Sequence, residues 1–507
     1  MRVFGEMDLR AAGYTALVEK YSLEVIPNWH QSFVAQGNTR RVHHAGDVVR
    51  EVYPARYWPG DRTGDHLAFA LKYDGTNLAI LARIFKAAPV EDVTEFVAAS
   101  PHGKYARRIW YLYELLTARR LPVDDLKTGG YTDLIDPEKY YTRPAGQAIR
   151  RQRIRDNLPG DPRFCPMVRK SDVLKAFEAA DLSARCREIM SGYPTQLLKR
   201  AMTYLYTKET KSSFEIEHIK PGSSRTERFV ALLQLAGKED FCHHDKLLNL
   251  QNMIVDPRFR DQGLRTNQNY VGETMGMQGE RVHFVSPKPE DLSGLMDGLV
   301  AAHQVMDAGT VPAVVHAAVI AYAFVFFHPF EDGNGRIHRF LIHNILARRK
   351  YTPDGMIFPV SSSMLKQLPD YDRSLECFSR PLLPLVDYTL DEEGRMTVHN
   401  ETADWYRFMD MTPQVEALYR FIEVTVEQEL AEELDFLACY DEAKKSIQEI
   451  VDMPDRKIDL FIRFCSQAGG RMSAGKRKNH FGFLTDEEVS RLEQAYRDAF
   501  VDGKTED

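Results

Sequence analysis

HPFEDGNGRIHR, residues 328–339, places a histidine, two carboxylates, a Gly-Asn-Gly and two arginines in twelve residues. AVVHAAVIAYAFVFF precedes it and FLIHNILARR follows it, so this polar stretch lies between two apolar segments. Both apolar runs carry helical spacing, and the Gly-Asn-Gly falls where the second helix begins. Glycines let successive backbone N–H groups turn toward one point, and Gly333 and Gly335 flank Asn334 in that way. A helix N-terminus adds unpaired donors and partial positive charge, which suits phosphate. Arg336 and Arg339 are three apart, on one face of the first turn, and guanidinium forks match phosphate oxygens. These features converge on a polyphosphate ligand. Asp332 stands just ahead of the glycines, where a carboxylate can hold Mg²⁺ with phosphate oxygens and water. His328, with a side chain that titrates near neutrality, is a candidate general base. Phe330 is expected to anchor the loop in the core. Base, metal ligand, phosphate cradle and cations together make a kit for transfer to a phosphorus centre.

The chain around this segment sets bounds. With 507 residues, 44% of them hydrophobic and 27% charged, it has the composition of a soluble multi-domain protein. A net charge of −7 argues against global nucleic-acid binding. No apolar run is long enough for a membrane span, and the first residues lack a signal-peptide core. Six cysteines without a CxxC pair read as reduced thiols, consistent with a cytoplasmic protein.

TNLAILARIFKAAPVEDVTEFVAAS and KYARRIWYLYELLTARR have helical spacing, and helix follows helix from Ser171. Residues 269–285, with Gly272, Gly276 and Gly279, interrupt them with a hairpin signal. SPKPEDL then opens a helix. The arginines from Arg150 to Arg155 read as a solvated helix face rather than a grip on an acidic partner. GGRMSAGKRKNH lacks the Ser/Thr of a P-loop and a preceding strand, so it is read as a basic surface loop. FCHHDK has adjacent histidines, which share a metal poorly.

HPFEDGNGRIHR resembles the Fic family motif, H-P-F-x-[D/E]-G-N-G-R-x-x-R, at every specified position. The resemblance covers about residues 200–410. It implies an all-α fold: a helical Fic core with a small β-hairpin flap, flanked by helical N- and C-terminal regions. We accordingly divide the chain into 1–190, a Fic domain over 191–390, and 391–507. The resemblance further implies transfer of AMP from ATP to a Ser, Thr or Tyr hydroxyl of a target protein docked at the flap, and to the chain itself. His328 would be the base and Asp332 the Mg²⁺ ligand. Asn334 and the N–H groups around Gly333 and Gly335 would face the α-phosphate, Arg336 the β-phosphate and Arg339 the γ-phosphate. Tyr371 would contact adenosine or serve as a core tyrosine; Phe378 stands where relatives usually offer an Asn.

KSSFEIEHIKPG, near 212–218, is similar to the inhibitory motif [S/T]-x-x-x-E-[G/N] of this family. Ser213 and Glu217 would share a helix face, with Glu217 on Arg339 blocking the γ-phosphate. His218 departs from the usual Gly or Asn, and Glu215 points away. Homodimers are common among relatives. The alternatives are removal of AMP from a modified protein, transfer of another nucleotide, and a scaffold without turnover.

Overall fold

The segment Ala313–Phe327 is apolar on all sides, and such a helix belongs inside a domain. The computed structural model, which describes residues 9–46, 48–274 and 280–500, buries nearly every side chain of this segment. Asn334–Arg348 forms the next helix and packs against it. Thr195–Glu215, Ser223–Leu235, His244–Ile254, Pro289–Asp307 and Leu368–Leu382 complete the surrounding layer, in one core that extends to Leu434.

Helices dominate, as expected. The expected hairpin is present as Tyr270–Thr274 paired antiparallel with Glu280–Val285. Gly276 and Gly279 lie outside the described residues. Pro289 occupies the first turn of the helix that follows, with Glu290 and Asp291 beside it.

The N-terminal region adds to its helices, Lys104–Thr117 among them, a sheet that the sequence reading did not include. Arg10–Ala12, His30–Ala35, Val48–Pro54 and Arg41–Ala45 form, in that order, a four-stranded sheet. Only the pair His30–Ala35 with Val48–Pro54 is parallel. Pro89 splits the expected helix after Thr76 into Leu78–Ala87 and Val90–Ala99. The arginines from 150 to 155 are not on a helix: Arg150, Arg151 and Arg153 lie on the turn between Gln147–Ile149 and Ile154–Asp156, and Arg155 lies in the second of these strands. Arg151 is turned inward onto Glu114 at 3.1 Å, whereas Arg150 and Arg155 are exposed, Arg155 pairing with Asp133 at 2.8 Å. Backbone bonds stitch this region to the core, Cys165 to Arg407 and Met167 to Met409. C-terminally, the long amphipathic stretch is interrupted by a π-helical turn, Thr425–Leu430. No helix among the described residues is long and apolar enough to cross a membrane.

A buried polar chain pins the helices that carry the site. The Arg349 guanidinium donates to Nδ1 of His316 at 3.2 Å. His316 Nε2–H then donates to Nδ1 of His303 at 3.0 Å, and His303 Nε2–H to Asp240 at 3.0 Å. The Arg donor fixes the tautomer of each ring in turn. Asp240, His303 and Asp307 cluster tightly enough to suggest a metal, but Arg348 lies on both carboxylates, at 3.4 and 3.0 Å. His303→Ala should strand His316 in the core and lower stability by about 2–3 kcal/mol, readable in a denaturant titration. His243 and His244 of FCHHDK turn to different acids, Asp240 and Asp297, as adjacent histidines must. The segment of the P-loop look-alike forms a short helix, Ala474–His480, after another helix rather than a strand.

Candidate active site

His328 ends the Ala313–Phe327 helix. Its backbone N–H bonds back to Phe324 at 3.0 Å, and its φ of 48° turns the chain out in the left-handed region. Pro329 cannot continue a helix, so the turn is fixed by sequence. Phe330, 2% exposed, anchors the loop against Phe324. The Asn334 side chain closes it: Oδ1 accepts from the Phe330 N–H at 3.1 Å and the amide donates to the Phe330 carbonyl at 2.7 Å. Asn334 thus clamps the loop in this state. Gly333, at φ 89°, caps the next helix in a conformation that glycine adopts without strain.

A carbonyl can only accept, so the 3.3 Å contact from His328 Nδ1 to the Val325 carbonyl puts the proton on Nδ1. Nε2 is left with its lone pair. Burial pushes this imidazole down to about 4; Arg265 adds to the fall, while the Val325 contact and Asp332 oppose it. The ring is neutral at pH 7 and able to accept a proton.

Arg336 and Arg339 are 0% and 2% exposed, and one carboxylate serves both. Glu217 Oε2 lies 2.7 Å from Arg336 Nε, and Oε1 lies 2.7 Å from Arg339 Nη2. The expected partner was Arg339 alone. Ser213 holds Arg339 from the other side, its hydroxyl at 2.8 Å from Nε and its carbonyl at 2.6 Å from Nη2. Burial works against the Arg339 charge, yet Glu217 and Tyr371 raise its pKa. A Cβ on Gly335 would stand 2.5 Å from Glu217 Oε1, so the carboxylate rests directly on the first turn of the Asn334–Arg348 helix. Asp332, 45% exposed, accepts from Arg336 Nη2 at 2.7 Å and from the Gly333 N–H at 2.6 Å. Two helical turns behind Glu217, buried Glu209 bonds His343 at 2.7 Å, so a ladder of contacts joins the two helices.

Ser213 and Glu217 do converge, though the helix carrying Ser213 ends at Glu215. It closes with Ile219 N–H to the Phe214 carbonyl at 3.0 Å and His218 N–H to the Glu215 carbonyl at 2.9 Å, a Schellman motif. His218 is its left-handed residue, at φ 57°. This accounts physically for Gly or Asn in the motif, since both enter that region readily. His218→Gly should therefore stabilise the chain by about 0.5–1 kcal/mol, seen as a higher unfolding midpoint. Glu215 is exposed, as its spacing implied.

Residues 241–346, which contain this loop, match the Fic/DOC family. The chain carries a Fic domain. Over 122 residues it is 34% identical to "Protein adenylyltransferase Fic" of Aedes aegypti, covering 24% of this chain and 22% of that protein. Over 168 residues it is 28% identical to "Protein adenylyltransferase fic-1" of Caenorhabditis elegans, 30% of each. The chain thus matches less than a third of the length of these relatives. A solved Fic family protein from Desulfovibrio desulfuricans G20 aligns over 62% of this chain and 82% of its own, at 19% identity and a TM-score of 0.35.

Tyr371, beyond the matched residues, is 4% exposed and lies among Arg339, His338 and Phe421. Its side chain is buried in this structure. Phe378 packs on Phe326 at 4.8 Å, beneath Phe284 of the hairpin. Other residues of the loop's setting carried no signal in the sequence. Gln251 reaches the Asp332 carbonyl at 3.3 Å, and Asp261 accepts from the Glu331 N–H at 3.1 Å. Arg265 bonds the His328 carbonyl at 2.8 Å. All three lie some 60–80 residues upstream, brought in only by the fold. A cavity of about 500 Å³ between the N-terminal region and Leu368–Leu382, lined by Trp29, Trp405 and Phe408, contains none of the motif residues.

Proposed function

We propose that this chain is a protein adenylyltransferase that Glu217 holds in check. The observation that carries the reading is the Glu217 carboxylate seated on both buried arginines at the N-terminus of the Asn334–Arg348 helix. Two buried cations at a helix N-terminus suit the β- and γ-phosphates of ATP, and an internal anion now holds that place. The relatives' names, protein adenylyltransferase, agree with the reading.

In the reaction, a target hydroxyl gives its proton to His328 Nε2, and its oxygen bonds to the α-phosphorus. The bond from that phosphorus to the β-phosphate oxygen breaks, and pyrophosphate leaves. Arg336 and Arg339 hold its charge. N–H groups at Gly333 and Gly335 face the α-phosphate oxygens, with Asn334 keeping the loop in shape or turning to join them. Asp332 is an exposed oxygen ligand beside the phosphate place, so the residues fit Mg²⁺, which would neutralise phosphate charge. For Asp332 to hold it, Arg336 must let go and turn to phosphate. The target segment adds as a strand along the Tyr270–Thr274 and Glu280–Val285 hairpin, where Val271 is exposed. Tyr371 supports Arg339 from behind.

Intact-mass spectrometry tests the reading. Glu217→Gly protein incubated with ATP and Mg²⁺ should gain the mass of AMP, on itself or on added target protein. Gain of a phosphate mass, or of no mass with any nucleoside triphosphate, would overturn it.

A further inference from the structure

Arg265 is 4% exposed, and its charge is met by oxygens of the backbone and one hydroxyl rather than by an adjacent carboxylate. Glu331 acts on it only at longer range. Such a cation is costly to bury, and burial pushes its pKa down to about 10. The bonds it makes are distributed in an informative way. Nε donates to the His328 carbonyl at 2.8 Å, and the Arg265 backbone N–H donates to the Pro329 carbonyl at 2.9 Å. Nη1 donates to the Asn267 carbonyl at 2.7 Å, ahead of the first hairpin strand. Nη2 donates to Ser286 Oγ at 2.9 Å and to the Pro287 carbonyl at 2.5 Å, just past the second strand. Ser286 passes the contact on, its hydroxyl donating to Asn269 at 2.5 Å.

We propose that Arg265 is a positioning residue that sets the distance and angle between the hairpin, where a target strand would lie, and Nε2 of His328. One planar fork joins both roots of the hairpin to His328, where the Ala313–Phe327 helix turns out, and the backbone N–H of the same residue holds Pro329. A planar fork with fixed donor directions transmits position in a way that a flexible ammonium does not. Misplacing a reacting group by about 1 Å can cost on the order of 100-fold in rate. The same cation stands by the His328 ring. The charged groups acting on that ring are Arg265, which favours the neutral base, and Asp332, which opposes it. This inference rests on the adenylyltransferase reading for its kinetic consequence, but its structural consequence stands alone.

The test compares Glu217→Gly protein with the same protein carrying Arg265→Gln, Arg265→Lys or Ser286→Ala. Backbone hydrogen exchange is read first and needs no activity. Arg265→Gln should speed exchange in Tyr270–Thr274 and Glu280–Val285 while the Asn334–Arg348 helix keeps its protection. Ser286→Ala, which keeps the buried charge, should do the same to a smaller degree. In transfer assays, kcat should fall roughly 10- to 100-fold in Arg265→Gln with KM for ATP unchanged, because Arg265 touches no phosphate-binding group. Its acid limb should move to higher pH, since removing the cation lets His328 hold its proton more easily. Arg265→Lys should restore the pH limb but little of kcat. Hairpin exchange equal to that of the parent in both Arg265→Gln and Ser286→Ala would overturn the proposal. So would a loss of ATP affinity parallel to the loss of kcat. A Glu217→Gly parent that transfers nothing would sink the adenylyltransferase reading, while the exchange data would still judge Arg265.

Discussion

Glu217→Gly is expected to bind ATP about 10-fold or more tightly than the unaltered chain, and to be less stable without it. Both effects have one source. Arg336 and Arg339 are almost fully buried, and Glu217 is 2.7 Å from each. In the unaltered chain, ATP must displace this carboxylate before its own phosphates reach the arginines. One charged hydrogen bond is worth about 1.5–3 kcal/mol, and 1.4 kcal/mol is a factor of ten in affinity. Without Glu217, Arg339 keeps Ser213 and Tyr371, and Arg336 keeps Asp332 and the Ile254 carbonyl, so Asp332 is the one carboxylate left among these partners. Removing one partner of a buried pair costs about 3–5 kcal/mol, less here because Glu217 is 24% exposed. Isothermal titration with Mg-ATP and thermal unfolding with and without nucleotide read both. ATP should raise the midpoint far more in the variant than in the parent. Equal affinities would mean that Glu217 does not compete with phosphate.

His328→Ala in the Glu217→Gly protein should lower AMP transfer by about 10²- to 10⁴-fold while ATP affinity stays put. The ring hydrogen-bonds to the Val325 carbonyl rather than to the two arginines that would hold phosphate. The pH dependence follows from the sign of its shift. The base must be neutral, and burial lowers its pKa from 6.5 to about 4. Activity should therefore persist well below pH 6.5 and fail only as the pH drops through about 4. A limb near 6.5 in kcat/KM would mean that the ring is solvated in the working enzyme. Transfer unaffected by His328→Ala would remove it as the base.

How legible the site was depended on how local its determinants are. HPFEDGNGRIHR could be read almost whole because a helix end, a Pro, a Gly cap and a helix start are set by adjacent residues. Glu217 was legible as the partner of Arg339, but not of Arg336. That second contact arises because the helix ends at Glu215 and the chain turns through His218, a geometry that helical spacing does not describe. Asn334 illustrates another limit: its type suits phosphate, but here both ends of its amide are spent on Phe330. Arg265 and Gln251 gave no signal because their partners are 60–80 residues away in sequence.

The fold divides in the same way. Long apolar helices such as Ala313–Phe327 announced themselves through buried periodicity. The N-terminal sheet did not: its strands are three to seven residues long and its parallel pair is joined through other elements. Arg151 looked solvated because its partners Glu114 and Asp125 lie elsewhere in sequence, while Arg150 and Arg155 are exposed as read.

The most direct measurement incubates three purified proteins with Mg²⁺ and ATP labelled on the α-phosphate: the unaltered chain, Glu217→Gly, and Glu217→Gly with His328→Ala. Covalent label on protein in Glu217→Gly, with little or none in the other two, is the expected result. Equal labelling of the unaltered chain and Glu217→Gly would contradict the brake, and label surviving in the double variant would contradict the base.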